Sequence, residues 1–271
     1  MTRSGGFPAR RRTEMLEALR HRGNSTIQEL AIQFRVSTDT VRRDLEDLAA
    51  QGLVDRTHGG VTLTEPESLN FIPPFARRLD AHAEGKSRIG RSAATFVQEG
   101  QTIFMNGGTT IMAMAQHLTG VRAVTVVTNN LRLPEQLSAS GPREVYVLGG
   151  SFRLRSLVTI GPVVLPDASG SFRHLHAHIA FIGVGGVSDD GSVTTSSLPE
   201  AGIMRAMMDH ADRTVLLADA SKFGRRQFAE ICTLSENTTV ITDAQPSAAF
   251  LATTTELGAE TVVATGLAGG G

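Results

Sequence analysis

The sequence predicts an α/β chain of two domains, a small helical domain closed by a β wing and a larger domain built on a mostly parallel sheet. Three observations predict it. Two amphipathic helices separated by a short turn lie between residues 26 and 50, and behind them two β-rich runs flank the glycines Gly59 and Gly60. Further on, five apolar runs alternate with helical stretches, which is the pattern of parallel strands covered by helices on both faces. With 271 residues, 41% of them hydrophobic, the chain has material for both cores.

The first helix spans roughly Pro8 to His21 and offers Met15, Leu16 and Leu19 as a packing face. Thr26 and Glu29 form a capping box that opens a second helix, with Ile27, Leu30, Ala31 and Phe34 on one side. Only Arg35 and Val36 separate Phe34 from Ser37, the N-cap of a third helix that runs from Thr38 to about Ala50, before Gly52. At 100° per residue Val41, Leu45 and Leu48 share one narrow stripe; Arg43 points away from it, and Arg42 lies on its flank. Leu53, Val54 and Val61 to Leu63 flank ArgThrHisGlyGly as a β-hairpin.

A helix, a tight turn and a second helix place the second element in a DNA major groove, and the hairpin makes the motif a winged helix-turn-helix. Arginine can bridge the O6 and N7 acceptors of guanine or clamp phosphates, so Arg42 and Arg43 read as base or phosphate contacts. Ser37, Thr38 and Thr40 read as backbone positioners, and Arg56 and His58 as wing contacts. The alternative, a solvated helix whose arginines pair with Asp39, Asp44 and Asp47, is outweighed by the matching helix before it. Residues 1 to 62 carry ten arginines and eight acids, and six of those arginines fall in the first 22 residues, where a basic arm could lie along phosphates. With no Trp and one Tyr, the chain has few stacking platforms for single strands, so the expected partner is duplex DNA.

The DNA-binding domain is placed at residues 1–63, a linker with Pro73 and Pro74 at 64–75, and the α/β domain at 76–271, with a glycine-rich, disordered tail after about 263. The lone Cys232 excludes an internal disulfide. Neither a signal peptide nor a long apolar run is present, so the expected location is the cytoplasm, with no membrane partner.

In the second domain the runs end at AsnGlyGlyThrThr (106 to 110), ThrAsnAsn (128 to 130), Gly149 and Gly150, GlyValGlyGly (183 to 186) and AspAlaSerLys (219 to 222). Parallel sheets bind ligands beyond the carboxyl ends of their strands, so these five segments predict one pocket containing Thr128, Asn129, Gly149, Gly150, Gly185 and Asp219. Gly107 and Gly108 let backbone amides approach an anion, and Thr109 and Thr110 add hydroxyls ahead of a helix that starts near Ile111. Lys222 is one of two lysines against 24 arginines, which singles it out as an anion contact; Arg153 could meet the same phosphate. Lys86 reads as solvated, at the start of a helix over 86–98. His174, His176 and His178 would alternate onto one face if they lay on a strand, and imidazole suits zinc, nickel or copper, so a metal-responsive regulator is an alternative reading; with no cysteine or adjacent carboxylate to complete a site, ordinary strand or loop histidines are expected.

These residues resemble the DeoR family of bacterial transcriptional repressors. The N-terminal signature is ValSerThrAspThrValArgArgAspLeu, Leu48, Gly52, Leu53 and ArgThrHisGlyGly, with Val61 where the family usually has Ala. GlyThrThr (108 to 110), ThrAsn (128 and 129), LeuGlyGly (148 to 150), PheIleGly (181 to 183), Glu200 and AspAlaSerLysPheGly (219 to 224) follow in the order of the DeoR-type sensor domain. That resemblance implies a fold related to ribose-5-phosphate isomerase and coenzyme A transferases. It also implies Glu200 in the pocket and a phosphorylated sugar or related metabolite whose binding weakens operator affinity. Asn106 stands where family members often carry Asp. An isomerase is the competing reading, but IleGlyValGly (182 to 185) stands where those enzymes carry an acidic segment. A regulator is therefore expected rather than an enzyme, with no cofactor, binding repeated half-sites as a homo-oligomer.

Overall fold

The structure is a computed structural model that describes residues 11–12, 14–16, 18–19, 24–50, 54–57, 60–63, 75–137, 141–154, 156–166 and 172–265. The chain forms two compact units, Met1–Pro74 and Phe75–Gly271.

In the first unit the described residues among 11–19 are helical. β1 (Asn24–Ser25), α1 (Ile27–Phe34), α2 (Thr38–Ala50), β2 (Val54–Thr57) and β3 (Gly60–Leu63) come next. α1 opens with the capping box: the Glu29 amide donates to Thr26 Oγ1 at 3.2 Å and the Thr26 amide donates to the Glu29 carboxylate at 2.7 Å. It ends where Arg35 turns left-handed, at φ 53°. Met15, Leu19, Leu30, Val41, Leu45, Leu48, Val54 and Val61 close into one core, so the stripe on α2 faces inward. β2 and β3 pair antiparallel through Thr57 and Gly60, leaving His58 and Gly59, outside the described residues, to join them. β1 adds a third strand on the far side of β3, one that a two-residue segment gave no pattern to reveal.

The second unit begins with α3 (Phe75–Asp80) and α4 (Ala83–Ala94), then β4 (Thr102–Met105), α5 (Thr109–Ala115), β5 (Thr125–Thr128) and β6 (Glu144–Val147). A hairpin of β7 (Ser151–Arg153) and β8 (Val158–Ile160) and a second of β9 (Val164–Pro166) and β10 (Phe172–His174) precede β11 (Ala177–Gly183). β12 (Gly186–Val187), β13 (Ser192–Thr195), α6 (Leu198–Asp209), β14 (Ala211–Leu217), β15 (Ala229–Thr233), β16 (Thr238–Thr242), α7 (Ala248–Glu256) and β17 (Glu260–Val263) complete it.

All five apolar runs are strands of one parallel sheet, ordered β17-β16-β14-β11-β4-β5-β6. Its side chains alternate between two cores. Phe104, Ala180, Ile182 and Leu216 face the core shared with α6, while Ile103, Met105, Phe181 and Val215 face the one shared with α4 and α5. The order reverses at β4: later strands extend to one side through β11 and to the other through β5. The loops leaving β4, β5 and β11 therefore meet at a crevice at the carboxyl ends. Two strands of this sheet have no counterpart among the apolar runs. β16 is ThrThrValIleThr, whose buried threonines hide an interior strand, and β17 lies at the start of the expected tail, where the Ala264 amide still donates to Thr242 O at 2.7 Å.

Candidate functional site

In the first unit, the Ser37 hydroxyl accepts from the Thr40 amide at 3.2 Å and lies 2.9 Å from the Thr40 hydroxyl, so both side chains are engaged in capping α2. The acids of α2 are taken up largely by other partners than its own arginines. Arg11 Nε meets Asp44 at 2.6 Å and Arg12 Nη1 meets Asp47 at 2.6 Å, which fixes the end of the expected basic arm against the helix. Among the described residues Arg42 pairs only with the exposed Asp39, at 3.2 Å. Arg43 is exposed and makes no ion pair among the described residues. The solvent face of α2 thus presents one uncommitted guanidinium, one weakly held one, and Thr38. The side chain of Arg56, with His58, lies outside the described residues.

In the second unit, the crevice at the sheet's carboxyl edge holds a small cavity of about 30 Å³. Gly107, Gly108 and Asn129 line it from the β4 and β5 loops, Ser156 and Val158 from the hairpin, and Glu200 from the first turn of α6. Ile203 and Met204 make it apolar on one side, and Arg78 of α3 completes it. Each loop is held by its own sequence. A Cβ on Gly107 would come within 2.2 Å of Val158 Cγ1, and Gly108 sits at φ +139°, where other residues are strained. Asn106 uses both ends of its amide: Nδ2 donates to Gly183 O at 3.0 Å and Oδ1 accepts from Gly183 N at 2.7 Å, tying the end of β4 to that of β11. An Asp could satisfy only the second contact.

Asn129 donates Nδ2 to Thr159 O at 2.9 Å, which leaves its buried Oδ1 as an acceptor without a partner among the described residues, at the cavity wall. Ser156 Oγ donates to Glu200 Oε1 at 2.7 Å. Burial pushes the Arg78 guanidinium below its ordinary pKa, and the Glu200 charge opposes that shift, so the two act on one another across the cavity. The result is a cation, a carboxylate and an amide acceptor in a partly apolar pocket.

Of the expected pocket residues, the structure brings Gly107, Gly108, Asn129 and Glu200 together. Thr109 and Thr110 are buried in the first turn of α5, one and two residues past Gly108. The Thr128 hydroxyl is used internally, donating to Met105 O at 2.6 Å and accepting from the Asn130 amide. Gly149 and Gly150 pack against the end of β8, where a Cβ on Gly150 would meet Ile160 O at 2.1 Å, and Gly185 packs against Gln227. Arg153 is exposed on β7 and does not line the cavity. Asp219 caps the short 3-10 helix Ala220–Lys222 by accepting from the Ser221 amide at 3.0 Å, and its buried Oδ2 has no partner among the described residues. Phe223 anchors the same loop edge-to-face on Phe250, 5.1 Å between centroids.

One expectation is corrected. Lys86 is buried rather than solvated: α4 starts at Ala83, and Lys86 Nζ donates to Arg78 O and, at 2.5 Å, to Ala81 O. The three histidines do not share a strand face, because β10 ends at His174 and β11 begins at Ala177. His176 pairs with Asp212 at 2.9 Å, and the Thr102 amide donates to His178 Nδ1 at 3.1 Å; among the described residues no cluster suits a metal ion. Arg78 and Ser156 escape a reading from sequence, since nothing in their spacing sets Arg78 apart from its neighbour Arg77 or Ser156 from the other turn serines.

Residues 11–67 match the DeoR-like helix-turn-helix domain and residues 81–244 match the DeoR C terminal sensor domain. The chain belongs to the DeoR family. Among its relatives, the HTH-type transcriptional repressor GlcR of Bacillus subtilis is 33% identical over 244 residues, covering 90% of this chain and 92% of that protein. The Glycerol-3-phosphate regulon repressor of Escherichia coli is 32% identical over 246 residues, covering 91% and 95%. A ribose 5-phosphate isomerase of Methanocaldococcus jannaschii aligns with 53% of this chain and 55% of its own, at 14% identity and a TM-score of 0.36, so about half of that enzyme's length is matched. In this DeoR-family chain α2 lies in the helix-turn-helix domain, and all the residues that line the cavity except Arg78 lie in the matched sensor domain. No helix among the described residues is long and apolar enough to cross a membrane.

Proposed function

We propose that this chain is a transcriptional repressor that grips operator DNA through α2 and the wing and is released by a phosphorylated sugar or related small metabolite. Arg43 and Arg42 read bases or phosphates, Ser37, Thr38 and Thr40 set the helix on the backbone, and Arg56 and His58 supply the wing contacts. The observation that carries the effector reading is the cavity itself. Arg78 suits an anionic group, while Asn129 Oδ1 and Glu200 suit hydroxyl donors. Asp219 and Lys222, on the loop after β14, are within electrostatic reach of Lys86 behind α3, and they extend the polar surround in which a phosphate would sit. Half-sites call for two or more copies, so the acting form is a homo-oligomer.

The test is a titration of the protein onto its own upstream DNA at fixed salt, followed by fluorescence anisotropy, with a panel of sugar phosphates and glycerol 3-phosphate. The last is included because one relative's name carries it. Release by one phosphorylated compound and not by its unphosphorylated parent is the expected result. Binding indifferent to the whole panel rejects the effector reading. Ribose 5-phosphate turnover above background would return the isomerase reading, for which the loop at residues 182 to 185 supplies no carboxylate.

A further inference from the structure

Lys86 is buried in the first turn of α4, where a lysine gains nothing from water. Its ammonium is held instead by the carbonyls of Arg78 and Ala81, in the last turn of α3 and just beyond it. A helix leaves its last four carbonyls without intrahelical partners and carries partial negative charge there, so a cation at that end satisfies both needs. Burial lowers the Lys86 pKa, Lys222 and Arg78 push the same way, and Asp219 and Asp80 oppose them.

α3 has six residues, fewer than a helix needs to stand alone in water, so it depends on the groups that hold it. Leu79 and the residues from Asp80 to Glu84 are exposed, while Arg78 reaches the cavity. The cavity's 30 Å³ is room for about one or two waters. A metabolite seated wholly inside it needs one wall to give way. Most of the others are tied down: Asn129 to Thr159, Gly107 beneath Val158, Glu200 to Ser156, and Ile203 in the core.

We propose that Lys86 is a positioning residue: by clamping the end of α3 it holds Arg78 across the cavity, and α3 is the wall that yields to a ligand. The second part rests on the proposed effector reading. α3 begins at Phe75, the first residue of the second unit.

Hydrogen exchange on the full-length protein tests this, comparing wild type with Lys86→Met and Lys86→Arg. Without ligand, the amides of residues 75–82 in Lys86→Met should exchange at least tenfold faster, with β4 and β11 unchanged and operator affinity within twofold of wild type. Lys86→Arg, which keeps the charge on a wider head, should fall between. Equal exchange at 75–82 in wild type and Lys86→Met overturns the clamp. Should Lys86→Met also lose protection at β11, the comparison moves to Lys86→Arg, and unchanged exchange at 75–82 there overturns it as well. In wild type, saturating glycerol 3-phosphate, or whichever panel compound releases DNA, should change exchange at 75–82 at least threefold. Release of DNA without such a change overturns the moving wall. A fast α3 in Lys86→Met with no compound releasing DNA supports the clamp and removes the phosphorylated-effector reading instead.

Discussion

Arg43 shows how far a single residue can be read from sequence. Its angle from the stripe of Val41, Leu45 and Leu48 places it on the solvent face, and the structure adds that Asp44 and Asp47 are engaged by Arg11 and Arg12. Arg43→Ala should therefore lose about 1–3 kcal/mol of operator binding, with non-specific binding reduced far less. Arg42→Ala should lose less, because Arg42 already has Asp39. An unchanged preference of Arg43→Ala for operator over random DNA in competition anisotropy would reject the base contact. Asn106 was legible only as a departure from the family pattern, yet its amide spans both polar groups of Gly183. Replacing it with Leu strands a buried donor and acceptor, for an expected loss of about 2–4 kcal/mol in urea unfolding, while Asn106→Asp keeps one contact and should fall between. Cys232 is buried and its thiol is pushed up to about 11, so in the native protein at pH 7 a disulfide reagent should leave it untouched and label it fully in denaturant. Arg78 and Lys86 were not legible in their roles, because both depend on where the end of α3 meets the Lys86 ammonium and the cavity, and no periodicity encodes that.

Elements were legible where local chemistry decides them. The capping box fixes the start of α1 by two hydrogen bonds between residues three apart, and the turn to α2 is set by Arg35 and the Ser37 cap, all within one short stretch. Thr26→Ala should destabilise the first unit by about 0.5–2 kcal/mol; in the full-length protein this is read as loss of operator binding at a lower temperature. A melting point for DNA binding equal to that of wild type would show that packing around Leu30 and Leu45, rather than the cap, sets where α1 begins. The five strands that announced themselves are apolar runs in the parallel sheet, whereas β16 and β17 rely on neighbours already in place. Thr238, Thr239 and Thr242 are buried in β16 because β14 and β17 satisfy its backbone on both sides, a fact about strand order and not about the residues. The same holds for the pocket. Sequence gathers all five loops into one pocket, but the reversal at β4 that sets the loops after β4 and β5 beside the β11 loop comes from pairing order.

At the scale of the whole molecule, charge and symmetry become one measurable quantity. Net charge is only −1, so attraction to DNA comes from where the arginines stand and not from their excess. With Arg11 and Arg12 paired internally, the described exposed arginines of the first unit outside those pairs are Arg35, Arg42 and Arg43, Arg42 holding only the exposed Asp39. Each phosphate neutralised contributes about 0.9 to the slope of log affinity against log salt. One protomer using these three would give a slope of about −3, and two protomers on paired half-sites about −5. Wing and arm residues outside the described ones would steepen both values, but they cannot change the ratio between them. Measured by anisotropy from low to moderate salt, the slope on DNA carrying two half-sites should thus be about twice that on DNA carrying one. Equal slopes would mean that a single copy makes every contact, and the homo-oligomer reading would have to be given up. A doubled slope that returns to the single value when effector is added would show that the ligand acts by taking one recognition helix off the DNA.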